Sequence, residues 1–138
     1  MKNKELRFFK MIREYFEIYL PNQKGVSNHT IKNYKICINQ FLDYSKETLN
    51  IKLKDFEFKN TTIKLVESFL EYGEEKLKWS IKTRNNKLAA IRSFYKYAAN
   101  NDITLIDIYL QLMTIPIKSA PKGTIIDYFS EEELELLL

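Results

Sequence analysis

Two stretches decide the fold: residues 26–47, VSNHTIKNYKICINQFLDYSKE, and residues 79–100, WSIKTRNNKLAAIRSFYKYAAN. In each the second residue is a serine, followed by an uninterrupted run free of Gly and Pro. Each then repeats apolar residues at three- and four-residue steps, the period of an amphipathic helix. Ser27 and Ser80 are the expected N-caps, because a serine hydroxyl accepts one of the N–H groups that the first helical turn leaves unpaired. At 100° per residue, Ile31, Tyr34, Ile38, Phe41, Leu42 and Ser45 fall on one side of the first stretch and are expected to face a core. The opposite side holds His29, Lys32, Asn33, Ile36, Asn39 and Gln40, with Asp43 as its only acid. In the second stretch the inner stripe is Leu88, Ile91, Tyr95 and Ala98, with Ile81 leading in and Phe94 on the flank. Opposite lie Lys82, Asn86, Ala89 and Ser93, with Lys96 beside them.

Outward from this pair, residues 6–20 place Phe8 or Phe9, Ile12, Phe16 and Tyr19 or Leu20 at helical steps, a first helix expected to be closed by Pro21. The second helix is expected to run to about Glu47. Residues 49–60 are irregular, with Leu53, Phe56 and Phe58 as expected core anchors. Thr61 or Thr62 caps a Glu-rich third helix reaching about Leu77, with Val66, Phe69, Leu70 and Leu77 as its apolar residues. A short fifth helix covers about 104–113, before Pro116. With three Gly and three Pro in 138 residues there is little punctuation for strands. The expected class is all-α, an orthogonal bundle of four to five helices over residues 1–116. Residues 117–124 have the composition of a linker. Ser130 and Glu133 then form a capping box before four leucines. Residues 117–138 are therefore expected to be a linker and the first element of a second domain.

Charge narrows the function. The formal net charge is +4, but five of the 18 acidic residues lie in 127–135 while all 22 basic residues precede them, so the body carries +9. Between Lys76 and Asn101 there are seven basic residues (Lys76, Lys78, Lys82, Arg84, Lys87, Arg92, Lys96) and no acid. So uneven a field suits a polyanionic partner. The two helix starts are built alike, a Ser cap followed by Lys, Thr and Asn. Lysines suit phosphates, while Asn, Thr and His add directional bonds to base edges or backbone oxygens. A solvated Lys-rich helix face is the competing reading for either stretch taken singly.

Enzymatic options are poor. His29 is the only histidine, which excludes a multi-His metal site and any mechanism needing two imidazoles. Cys37 is the only cysteine and reads as a small packed residue, and no Gly-rich phosphate loop is present. No metal, cofactor, small-molecule substrate or catalytic residue is expected. No signal peptide and no membrane-length apolar run occurs, so a cytoplasmic location is expected.

The pattern V-S-N-H-T-I-K-N-Y, then S-I-K-T-R-N-N-K-L-A-A-I-R-S-F-Y-K-Y about fifty residues on, resembles the SAM-like core-binding domain at the N-terminus of tyrosine recombinases (phage integrases). The matching positions are Ser27, Thr30 and Tyr34, then Thr83, Leu88, Ile91, Arg92, Phe94 and Tyr95. The segment from Tyr128 is similar to that family's entry into its catalytic domain. The resemblance implies a DNA-binding module forming half of a clamp around duplex DNA, with the second and fourth helices in the major groove. The implied contacts are His29, Thr30, Lys32 and Asn33 on one helix and Lys82, Thr83, Asn86 and Lys87 on the other. The wheel adds Ser93 and Lys96, and places Thr30 near the core side. The family's Arg, Lys, His-x-x-Arg and nucleophilic Tyr belong to its second domain; His29-Thr-Ile-Lys32 lacks the Arg, and none of the nine tyrosines is assignable. The expectation is a non-catalytic fragment of a DNA strand-exchanging parent. The resemblance also implies protomer contacts on DNA through the first helix. An alternative is a helical protein–protein interaction or regulatory domain docking through Phe8, Phe9, Phe16 and Tyr19. A helix-turn-helix factor is disfavoured by the long spacers.

Overall fold

A computed structural model describes residues 2–119, with side chains from Arg7 onward. The expected capping box at Ser130 and Glu133 lies outside the described residues, and the expected linker lies within them only as far as Ser119. The described residues form five α-helices: α1 (Lys2–Glu14), α2 (Asn28–Leu49), α3 (Ile63–Glu75), α4 (Ile81–Asn101) and α5 (Ile106–Leu112). The described residues contain no strand, and the class is all-α.

The caps form as local chemistry dictates. Ser27 accepts from the Thr30 N–H, Thr62 from Leu65, and Ser80 from Thr83. Asn50 closes α2 in the left-handed region at φ 53°, a conformation asparagine tolerates better than most residues. Helix α2 packs on α3 and α4, and α4 packs in turn on α3 and α5.

The core is dominated by aromatic rings. Phe8 sits at its centre, edge-on to Phe9, Phe56, Phe58 and Phe94. Phe69 joins Phe41 to Trp79. Such edge-to-face pairs add about 0.5–1.5 kcal/mol each beyond the area they bury. The expected inner stripe of α4 is buried throughout, and Phe94 belongs to it rather than to the flank. Two hydroxyl pairs tie distant parts of the chain across this core: Tyr15 with Ser93 at 2.6 Å, and Thr61 with Tyr95.

Several expectations need correction. Pro21 does not close the first helix. The chain continues from α1 into a π-helical segment, Tyr15–Gln23, that contains Pro21. A proline ring collides with the carbonyl four residues back in an α-helix. The wider π turn relieves that collision, and the flanking Lys24 and Val26 N–H groups bond back to the Tyr19 and Leu20 carbonyls. Leu53 is not a core anchor: it is 36% exposed in a 3₁₀ turn, while Phe56 and Phe58 carry the packing. Leu77 lies beyond the end of α3 and is 43% exposed. Half of the aromatic stripe expected to dock a partner is core, since Phe8 and Phe16 are buried while Phe9 and Tyr19 are partly accessible.

Candidate nucleic-acid interface

The two serine-capped helix starts are structural twins. In each, the serine Oγ accepts the N–H of the threonine three residues on, and the serine hydroxyl donates to that threonine's Oγ1 at 3.1 Å. Each cap holds one threonine at the head of its helix, Thr30 on α2 and Thr83 on α4.

Packing of α2 against α4 brings these ends together. Cys37 fits between the helices, where its thiol donates to the Lys87 carbonyl at 3.3 Å. Burial pushes the thiol pKa up to about 12, with the nearby Lys87 charge opposing. A nucleophilic cysteine needs its thiolate, so this residue is a packing element. Beside it runs an open groove of about 420 Å³ lined from α2 by Thr30, Asn33, Tyr34, Ile36 and Cys37 and from α4 by Thr83, Asn86, Lys87, Ala89 and Ala90. Five of the expected contact residues (Thr30, Asn33, Thr83, Asn86 and Lys87) therefore line one groove.

The other five sit differently. His29 is exposed and pairs with Asn33 through its Nε2 and the Asn33 amide nitrogen at 3.3 Å. Lys32, Lys82 and Lys96 are exposed. Ser93 is half-buried, and its hydroxyl is engaged by Tyr15. Lys87 is half-buried with its ammonium 5.3 Å from the centre of the Trp79 ring. That ring lies over Gly73, where a Cβ would come within 1.9 Å of it. The end of α3 thus supports the lysine that α4 presents to the groove.

The seven-residue basic run does not act as a unit. Arg84 is only 5% exposed and donates to the Pro116 carbonyl at 2.8 Å. Arg92 donates to the carbonyls of Leu112, Met113 and Ile115, capping the C-terminus of α5. Burial, and next the charge of Arg84, lower the pKa of Arg92, though a guanidinium remains charged at any ordinary pH. Asn85 grips Lys118 at both backbone groups, donating to its carbonyl at 2.9 Å and accepting its N–H at 3.1 Å. Lys118 also pairs with Glu74 at 2.8 Å. The expected linker therefore starts as a docked strap against α4. Sequence reasoning missed this use of Arg84, Asn85 and Arg92, because their partners are 20 to 33 residues away in the chain.

Among the described residues, no three His, Cys, Asp or Glu side chains gather to hold a metal ion. No helix among them is long and apolar enough to cross a membrane.

The family model described as phage integrase, N-terminal SAM-like domain, matches residues 12–102. A putative integrase/recombinase, y4rD, of Sinorhizobium fredii is 30% identical over 110 residues, covering 80% of this chain and 39% of its own length. A second from that organism, y4rC, is 27% identical over 128 residues, covering 93% of this chain and 38% of its own length. The tyrosine recombinase XerC of Staphylococcus carnosus is 30% identical over 129 residues, with 91% and 39% covered. The chain thus spans about two-fifths of the length of the curated relatives it matches. No solved structure matches it. The helix order, the paired serine-capped helices and these matches together lead to one assignment: the chain belongs to the phage integrase N-terminal SAM-like domain family.

Proposed function

We propose that the chain binds double-stranded DNA, laying the starts of α2 and α4 into one major groove as the non-catalytic module of a cytoplasmic tyrosine recombinase. The observation that carries this reading is the shared groove. Thr30 and Asn33 from one helix and Thr83, Asn86 and Lys87 from another converge on it, although about fifty residues separate them in sequence. Exposed Lys32, Lys82 and Lys96 supply charge for phosphates at its margins, and His29 adds a ring nitrogen. Phosphate contacts position a protein on duplex, while the short polar side chains read base edges. Thr30 and Thr83 each spend part of their capacity on a serine cap, and Ser93 is already bonded to Tyr15. Lys32, Asn33, Lys82, Asn86 and Lys87 are therefore the principal contacts.

Residues 1–116 form this module in the proposal, and 117–138 lead into a further domain carrying the chemistry. Protomer contacts on DNA run through the first helix. A groove of about 400 Å³ lined by Phe9, Ile12, Phe16, Ile38, Leu42 and Leu53, among others, supports that part. Cleavage and strand exchange by the whole protein belong to the same proposal.

Fluorescence anisotropy on a labelled duplex tests the binding. Affinity should fall steeply with salt, by a log–log slope of about −0.9 per phosphate contact. The double substitution Lys82→Glu and Lys87→Glu should abolish binding while leaving the helical circular dichroism intact. Salt-independent binding, or binding that survives both charge reversals, overturns the reading.

A further inference from the structure

One surface of the α2–α4 groove has no use in phosphate binding. Ile36 is 43% exposed on the face that also presents Lys32 and Asn33, and Ala89 is exposed on α4. Both line the groove that Asn33 and Asn86 line. A single exposed isoleucine is ordinary on a protein surface. The setting of Ile36 is not, because its groove neighbours from α2 and α4 include two carboxamides, two threonines and a lysine.

Each of these neighbours has a counterpart in the major groove of B-DNA. A carboxamide matches the N6 donor and N7 acceptor of adenine, and the apolar feature of that groove is the C5-methyl of thymine. The Asn33 amide nitrogen is shared with His29, but its oxygen remains available, and Asn86 is exposed on the facing helix. Amide and branched aliphatic side chains on one groove thus suit the two halves of an A·T pair. Lysines, by contrast, suit phosphates or guanine.

Resting on the DNA-binding reading above, we infer that Ile36, with Ala89, is a specificity-determining contact for the thymine methyl, so that bound duplex carries A·T pairs beneath the α2–α4 groove. A methyl group meeting the exposed face of Ile36 buries more apolar area than a bare C5–H edge does, and this rewards thymine over a base lacking the methyl.

The test compares three duplexes of equal length: alternating A–T, the same with deoxyuridine in place of thymidine, and alternating G–C. Deoxyuridine removes the methyl and leaves every hydrogen-bonding group in place. The 138-residue chain should bind the A–T duplex about fourfold more tightly than the deoxyuridine duplex for each methyl contacted, the value of one buried methyl-sized group. It should bind G–C more weakly than A–T. Ile36→Ala should erase the difference between thymidine and deoxyuridine duplexes while retaining the salt dependence, and Ile36→Val should retain the difference. Both variants alter an exposed side chain, and their folding is verified by circular dichroism. Equal binding of the A–T and deoxyuridine duplexes by the unaltered chain overturns the inference, as does a methyl preference that persists in Ile36→Ala. Either result leaves DNA binding itself standing, whereas failure to bind any of the three duplexes at low salt overturns both.

Discussion

Replacing Arg92 by methionine separates structural cations from those proposed to face DNA. The guanidinium donates to three carbonyls at the end of α5, those of Leu112 at 3.2 Å, Met113 at 3.3 Å and Ile115. Methionine keeps most of the stem packing and removes every donor. A hydrogen bond from a charged donor contributes about 1.5–3 kcal/mol. The three do not add, because one group serves them all and the freed carbonyls are partly reached by water. Loss of a cation at a helix C-terminus costs about 0.3–1 kcal/mol more. The expected destabilisation is about 3 kcal/mol, or roughly 10 °C in Tm for a domain of this size. Thermal and urea unfolding followed by far-ultraviolet circular dichroism measure it. At a temperature where the variant is folded, its salt slope for duplex should equal that of the unaltered chain. Lys82→Glu, in contrast, should lower the slope without lowering Tm. A Tm change under about 2 °C would put the carbonyl clamp below about 0.6 kcal/mol and refute the reasoning, and a slope reduced by about 0.9 would mean that Arg92 meets a phosphate after all.

Two further outcomes follow from the same geometry. Ser27→Ala and Ser80→Ala should each cost about 1 kcal/mol, since each leaves a helical N–H without its side-chain acceptor; urea midpoints read this, and a midpoint unchanged in both would sink the cap argument. Cys37 should resist iodoacetamide at pH 8 in the native chain and react once urea unfolds it, because burial holds its thiol near pKa 12. The linkage has a definite sign: the unfolded thiol ionises from about pH 8.5 upward and the native one does not, so the unfolded state binds fewer protons and stability falls between about pH 8.5 and 12. Burial raises the pKa of Tyr15 and Tyr95 as well, adding loss of the same sign above about pH 10. Cys37→Ala should make the alkaline decline shallower; an identical decline in the variant would refute the assignment.

What the sequence determined by itself is the set of helices, their caps and their faces. Ser27 and Ser80 cap as expected, Thr62 is the one of the two candidate threonines that caps α3, and the buried stripes of α2 and α4 follow the 3.6-residue period. These properties depend on residues within one or two turns of one another, so they are legible before any packing is known. The polar character of the face bearing Lys32, Asn33, Lys82 and Asn86 was legible for the same reason. Tertiary structure decided the roles that need a distant partner. Ser93 carries the same exposed-face signature as Lys96, yet its hydroxyl meets Tyr15, 78 residues earlier. Arg84 and Arg92 belong by composition to a basic run, yet they hold the chain after α5. Pro21 carries the usual stop signal of an α-helix, but the chain passes through it by widening into a π turn. The groove that joins Asn33 to Asn86 arises where α2 packs on α4. A pattern along one helix shows which side is polar; only packing between helices shows which two polar sides share a groove, and which charges are already spoken for by backbone carbonyls.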